Sequence, residues 1–237
     1  MAERNFVISI IVGMIDKASS NLEKFNKKLE DQKELINKTS IAMIGLGGSI
    51  TASLGLAVRQ ASKSELAMRK LQTAVELSGN SWDYSKDTID KFIKSMTKMT
   101  TLSSEETAVS LQTLLRFTNN LDKAFKGSKL AADIVASGML DLASASRLVG
   151  MAMTGNIEML GRYVPELRVH NIEMLKTASV SERAEYAMSI LQKRFGGMAF
   201  AETRTLSGAM KQLNNNINDL QQNIGTLLIP IISKYVS

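Results

Sequence analysis

The chain has 237 residues, room for one large domain or two small ones, and its 44% hydrophobic content supports a packed core. Aromatics at 5%, only 2 prolines and abundant Ala, Leu, Met, Lys and Ser favour helices over an all-β fold. The lack of cysteine and the single histidine, His170, exclude disulfides, thiolate metal sites, thiol nucleophiles and His-rich zinc sites, while the +6 charge is scattered as on a solvated surface, not clustered as for a nucleic acid.

The opening MAERNFVISIIVGMID has a short apolar core, mixed leading charge and no small-residue cleavage site. It does not read as a secretory signal, and a cytoplasmic origin is expected. Phe6 to Val12 (FVISIIV) is β-branched and too short for a lone helix, which predicts a short strand. Asp16 then opens a polar helix to about Lys38. In it Leu22, Phe25, Leu29 and Ile36 follow coiled-coil spacing, with Gln32 at the remaining seam position. Two heptads fit packing within the domain and self-association equally well.

Thr39 to Val58 (TSIAMIGLGGSITASLGLAV) is uncharged and carries four glycines and five hydroxyl residues. Arg59 to Leu77 predicts an amphipathic helix with Leu66, Leu71, Ala74 and Val75 on one side, stopped by Gly79. Asp87 to Met99 predicts another, carrying Ile89, Phe92, Ile93 and Met96. Ser103 with Glu106 forms a capping box for a helix to about Phe117. Leu121 to Ser137 ends at Gly138, and Asp141 caps a helix to Met153.

Thr154-Gly155-Asn156 interrupts that helix, Ile157 to Tyr163 resumes a helical pattern, and Pro165 closes it. Ser181-Glu182 predicts the start of a helix whose basic last turn meets Gly196-Gly197. A final helix runs from about Ser207 through LNNNINDLQQNIGTLLIPII, with Pro230 expected to kink or stop it. The chain's ending inside this apolar run predicts a continuation. There is no internal repeat. The expected division is residues 1–58 (strand, polar helix and glycine-rich segment), 59–205 (helical domain) and 206–237 (polar helix).

No catalytic, cofactor-binding or metal-ligating residue is assigned, and a non-enzyme is expected. His170 has no Ser-His-Asp spacing around it, and the carboxylate clusters Glu105-Glu106 and Glu182 with Glu185 read as caps or surface pairs. The cluster Gly45 to Ser49 is not a phosphate loop: no Gly-Lys-Ser/Thr follows, Ile50 replaces the third glycine of G-x-G-x-x-G, and the segment follows a helix instead of a strand.

Membrane insertion of Thr39 to Val58 is close to balanced. Its length, at about 1.5 Å per residue, just crosses a core of about 30 Å. Its seven Ile, Leu and Val residues contribute about −2 to −4 kcal/mol, opposed by the hydroxyls and glycines. The spacing is more telling. Gly45, Ser49 and Ser53 recur every four residues, as do Gly48 and Ala52, which suits close helix–helix packing.

From about Ser64 onward the order of features is specific. It runs SELAMRKLQTAVELSG, TTLSSEETAVSLQTLLRF, KLAADIVASGMLDLASASRLVGMAMTGNIEMLGRYV, then AEYAMSILQKRFGGMAFAETRTLSGAMKQLNNNINDLQQNIGTLLIPII. This resembles the N-terminal conserved region of phage tail tape-measure proteins. The matching residues are Asp133, Leu142, Gly155, Asn156, Phe195, Gly196, Gly208, Leu213, Asn215, Leu220, Gly225 and Pro230. The hairpin at Gly155-Asn156 belongs to the same pattern.

The resemblance implies a mainly α-helical protein of antiparallel hairpins or a bundle, a structural component of a phage or phage-like tail. Its role would lie in tail assembly, length determination and ejection ahead of the DNA. Implied partners are the tail tube, the tail-tip or baseplate proteins, assembly chaperones and further copies of itself as a homo-oligomer. Transient contact with the host membrane is also implied, while no sequence-specific nucleic acid is expected. The location would be the host cytoplasm during assembly and then the virion tail. Tape-measure proteins are usually several times longer, so the chain is either a piece of one or a short relative. Rival readings are a membrane-active protein or toxin working through residues 39–58, and a helical adaptor unrelated to phages.

Overall fold

The computed structural model describes residues 48–168 and 174–236, and these are mainly α-helical with no strand. The strand expected at Phe6 to Val12, the stripe Leu22, Phe25, Leu29 and Ile36, Gly45 and His170 lie outside the described residues. The elements are α1 (Gly48–Leu77), α2 (Trp82–Met99), α3 (Ser104–Thr118), α4 (Leu121–Ala136) and α5 (Leu142–Met153). After two 3-10 turns (Leu160–Arg162 and Pro165–Leu167) come α6 (Met174–Thr177), α7 (Val180–Phe195), α8 (Met198–Thr203) and α9 (Leu206–Val236). Two compact units result: residues 68–203 form one, and residues 48–67 with 204–236 the described part of the other.

The helix starts follow from local chemistry. Ser103 Oγ accepts from the Glu106 amide at 3.2 Å while Glu106 Oε2 accepts from the Ser103 amide at 2.8 Å, the capping box expected from the sequence. Asn120 Oδ1 caps α4 by accepting from the Lys123 amide at 2.9 Å, and Asp141 Oδ1 caps α5 by accepting from the Ser144 amide at 3.0 Å.

Several boundaries correct the sequence reading. Helix α1 starts by Gly48, not Arg59: no proline or cap separates Val58 from Arg59, and each glycine costs a helix only about 1 kcal/mol. Leu66 is 54% exposed, because the buried stripe of α1 is Ala57, Ala61, Ser64, Leu71 and Val75. Helix α2 starts at Trp82, five residues before Asp87.

Helix α7 is capped by Ser179, not Ser181, since only Ser179 has a glutamate three residues on; Glu182 Oε2 accepts from the Ser179 amide at 2.8 Å. Residues 157–163 do not resume an α-helix. Gly155 turns the chain at φ 70°, and Pro165 opens the second 3-10 turn with its preset φ. Helix α9 continues past Pro230 to Val236, so the proline does not stop it.

In the unit of residues 68–203, α3, α4 and α5 pack on one another, with α2 on α3, α7 on α4 and α5, and α8 on α4 and α2. Leu111, Leu114, Leu115, Leu130, Ile134 and Leu148 are buried at the centre. Three serines, one from each central helix, lie among them. Ser128 Oγ donates to Ser110 Oγ at 3.1 Å, and Ser110 and Ser146 share a hydrogen bond at 3.0 Å; all three are essentially fully buried. Small residues permit this approach: the Phe117 ring occupies the place a Cβ on Gly150 would take, and Gly127 is closed in by Leu114 and Met153.

Ser128→Ala leaves the Ser110 hydroxyl one partner short in an apolar core, and a loss of about 1–3 kcal/mol is expected from urea unfolding. The exposed caps give an acid signature. The Ser144 amide and hydroxyl hold Asp141 below its ordinary 3.8, and the Ser179 hydroxyl and amide hold Glu182 below 4.5. A carboxylate lowered on folding stabilises the fold above its unfolded value, and that contribution disappears as pH falls through the lowered one. The urea midpoint should therefore fall as the solution is acidified below about pH 4.5. The double variant Asp141→Asn, Glu182→Gln should show a shallower fall over the same range.

Candidate helix-packing site

The sequence points to packing residues as the working parts of this chain. In the unit containing α9, the close approach is between α1 and α9. Gly225 on α9 lies where an added Cβ would meet the carbonyl oxygen of Ala57 and, at 2.8 Å, the Ala61 methyl. Ala57, Ala61 and Ser64 are each 3% exposed. The four-residue ladder Gly45, Ser49, Ser53 continues in register to Ala57 and Ala61, so the small stripe extends beyond the boundary read from the sequence. Gly48, Ser49, Ala52 and Ser53 lie on the helical backbone of α1.

A second joint is polar. Asp133 on α4 is 9% exposed, and its Oδ1 accepts from the Ala199 amide at 2.9 Å. Ala199 is the second residue of α8, so a carboxylate from a distant helix caps it, where an orphan amide and the positive end of the helix dipole meet. Gly197, at φ 85°, turns the chain into α8 after α7 ends at buried Phe195. The joint is sealed by Met96, Leu102, Ala132 and Ala199, with Phe92, Ala136 and Leu142 against them. Thr101 Oγ1 also donates to Glu202 Oε2 at 2.9 Å.

Gly155 and Asn156 make the third joint. The Asn156 amide donates to Met151 O at 3.0 Å and the Gly155 amide to Ala152 O at 3.1 Å, which closes α5 in a Schellman turn. A Cβ on Gly155 would lie 2.5 Å from Val180 O at the start of α7. The feature is a helix stop with an exposed Asn156, not a hairpin of two α-helices.

Among the described residues no group of three His, Asp or Glu is placed to hold a metal. A half-open cleft of about 500 Å³ between the ends of α1 and α3 is lined by Lys70, Ala74, Leu77, Gln112, Leu115 and Arg116, among others, with no carboxylate or histidine in its lining. Of its two cations, Arg116 stands in the last turn of α3, where it complements the helix dipole. No helix among the described residues is long and apolar enough to cross a membrane.

The serine triad, Gly127 and Gly150 were not picked out from the sequence. Their signal was present as the four-residue repeats Ala124-Ser128-Ala132, Gly127-Ala131 and Ser146-Gly150. Small residues in amphipathic helices are easily read as propensity choices, which conceals them as contacts. Compared with family models, curated proteins and solved structures, the chain matches none.

Asp133→Ala removes the carboxylate that accepts from the Ala199 amide, and a loss of about 1–3 kcal/mol is expected in thermal or urea unfolding. Asp133→Asn keeps an oxygen acceptor and should recover most of that loss. Hydrogen exchange at Ala199 checks the assignment directly, since it should accelerate in the alanine variant and stay slow in the asparagine variant.

Proposed function

We propose that the chain is the N-terminal region of a phage tail tape-measure protein, a structural component of a phage or phage-like tail. It acts in tail assembly and length determination and is ejected ahead of the DNA. One observation supports the reading most: six of the twelve residues that carry the resemblance sit at joints between helices or at helix ends. Asp133 caps α8, Gly155 and Asn156 close α5, Phe195 and Gly196 end α7, and Gly225 is the close approach to α1. A motif made of such residues encodes a helical frame, whereas a motif of an enzyme family would centre on polar groups around a cleft.

In this role the partners are the tail tube, the tail-tip or baseplate proteins, the assembly chaperones and further copies of the chain. The membrane-active reading of residues 39–58 is the runner-up, resting on an insertion energy close to zero. The test is fractionation of the chain with assembled tail particles, paired with flotation on liposomes. Particle association without liposome binding supports the tail role. Spontaneous flotation with dye release, and no particle association, would replace it with the membrane-active one. The pair Gly48→Leu with Ala52→Leu should reduce particle yield severalfold and leave liposome flotation unchanged, since bulk on the small stripe blocks close packing. Unaltered particle yield would remove the close-packing argument.

A further inference from the structure

We propose that α9 is a self-recognition element that pairs with a second copy of this chain as a parallel, two-stranded coiled coil. The observation is a strict heptad. Met210, Ile217 and Ile224 occupy one seam position, and leucines recur every seven residues from Leu206 to Leu227 at the other. The seam spans about 32 Å of helix.

Part of the seam is open among the described residues. Leu206 is 47% exposed, Met210 54% and Ile217 41%, while Leu213, Leu220, Ile224 and Leu227 are half-buried. Gly225, buried against Ala57 and Ala61 of α1, lies about 100° around the helix from Ile224, so this contact is on a flank of α9.

Charge identifies the occupant. In coiled coils the positions bordering the seam select a foreign partner through complementary charges. Here they are Ser207, Asn214 and Gln221 on one side and Ala209, Asn216 and Asn223 on the other, without a single charge. The charged residues of this stretch, Lys211 and Asp219, stand away from the seam. Two identical parallel helices thus meet with no like-charge repulsion, and a primary amide both donates and accepts, so it complements its own copy. Isoleucine at the first seam position with leucine at the second favours two strands over three. The inference does not depend on the tail reading, and its failure would leave that reading standing.

The natural absence of cysteine makes the test clean. In a parallel pair Met210 faces Met210 of the second copy, so Met210→Cys should oxidise to a covalent dimer at twice the 25.9 kDa chain mass on a non-reducing gel. Gln222→Cys, on the outward side of the heptad, should give none. In sedimentation the unmodified chain should run as two copies, and Ile217→Lys as single copies with its helical signal retained. A single-copy unmodified chain, a three-copy assembly, or no cross-link from Met210→Cys would each overturn the proposal. The cross-link decides the matter even where Ile217→Lys loses its fold, because it reads an otherwise native seam.

Discussion

The structure depends on how closely α3, α4 and α5 approach one another. Helices carrying leucine or phenylalanine at every contact stay about 8–10 Å apart. Bringing three to one point requires small side chains there, and serine is small at the price of a hydroxyl that must be satisfied. Ser110, Ser128 and Ser146 solve both problems together: each helix contributes one, and the hydroxyls serve each other where no water reaches. A partly satisfied network in such surroundings would be worse than an apolar one. The arrangement therefore fixes the relative position of the helices as well as their proximity. Gly127 and Gly150 extend the close approach on either side.

Around that centre, the remaining elements are positioned mainly by their ends. Helix α3 and helix α7 carry their own capping boxes, α4 and α5 their own Asn and Asp caps, and α5 stops in a Schellman turn. Arg194 Nη1 donates to both carboxylate oxygens of Glu166 at 2.8 Å and ties the end of α7 to the second 3-10 turn; both side chains are largely solvated, so the pair positions more than it stabilises. Phe92 stacks on Phe125 at 4.3 Å between centroids, joining α2 to α4. The frame is one of local signals supplemented by a few long-range contacts.

That division decides what was legible in advance. Ser103 with Glu106 was readable because both halves of the capping box lie within four residues, and the mainly helical class followed from composition. The sequence offers Ser181-Glu182 as the start of α7 where Ser179 caps it, because two serines compete and only spacing to Glu182 separates them. Pro165 reads from the sequence as an end yet opens a 3-10 turn, because proline punctuates in either direction. The serine triad was invisible for a different reason: its members are 18 and 36 residues from Ser110, and nothing in any one helix announces the others. Of the small-residue ladder, periodicity gave the spacing, while its continuation to Ala57 and Ala61 emerged only once Gly225 stood beside it.

The cap on α8 has a kinetic consequence. A helix of six residues is too short to hold itself together in water, and the acceptor that completes its first turn comes from Asp133, 66 residues earlier in the chain. Helices with caps of their own can flicker into shape as soon as they are synthesised. Helix α8 has no such freedom, since its first turn is finished only after α4 is in place.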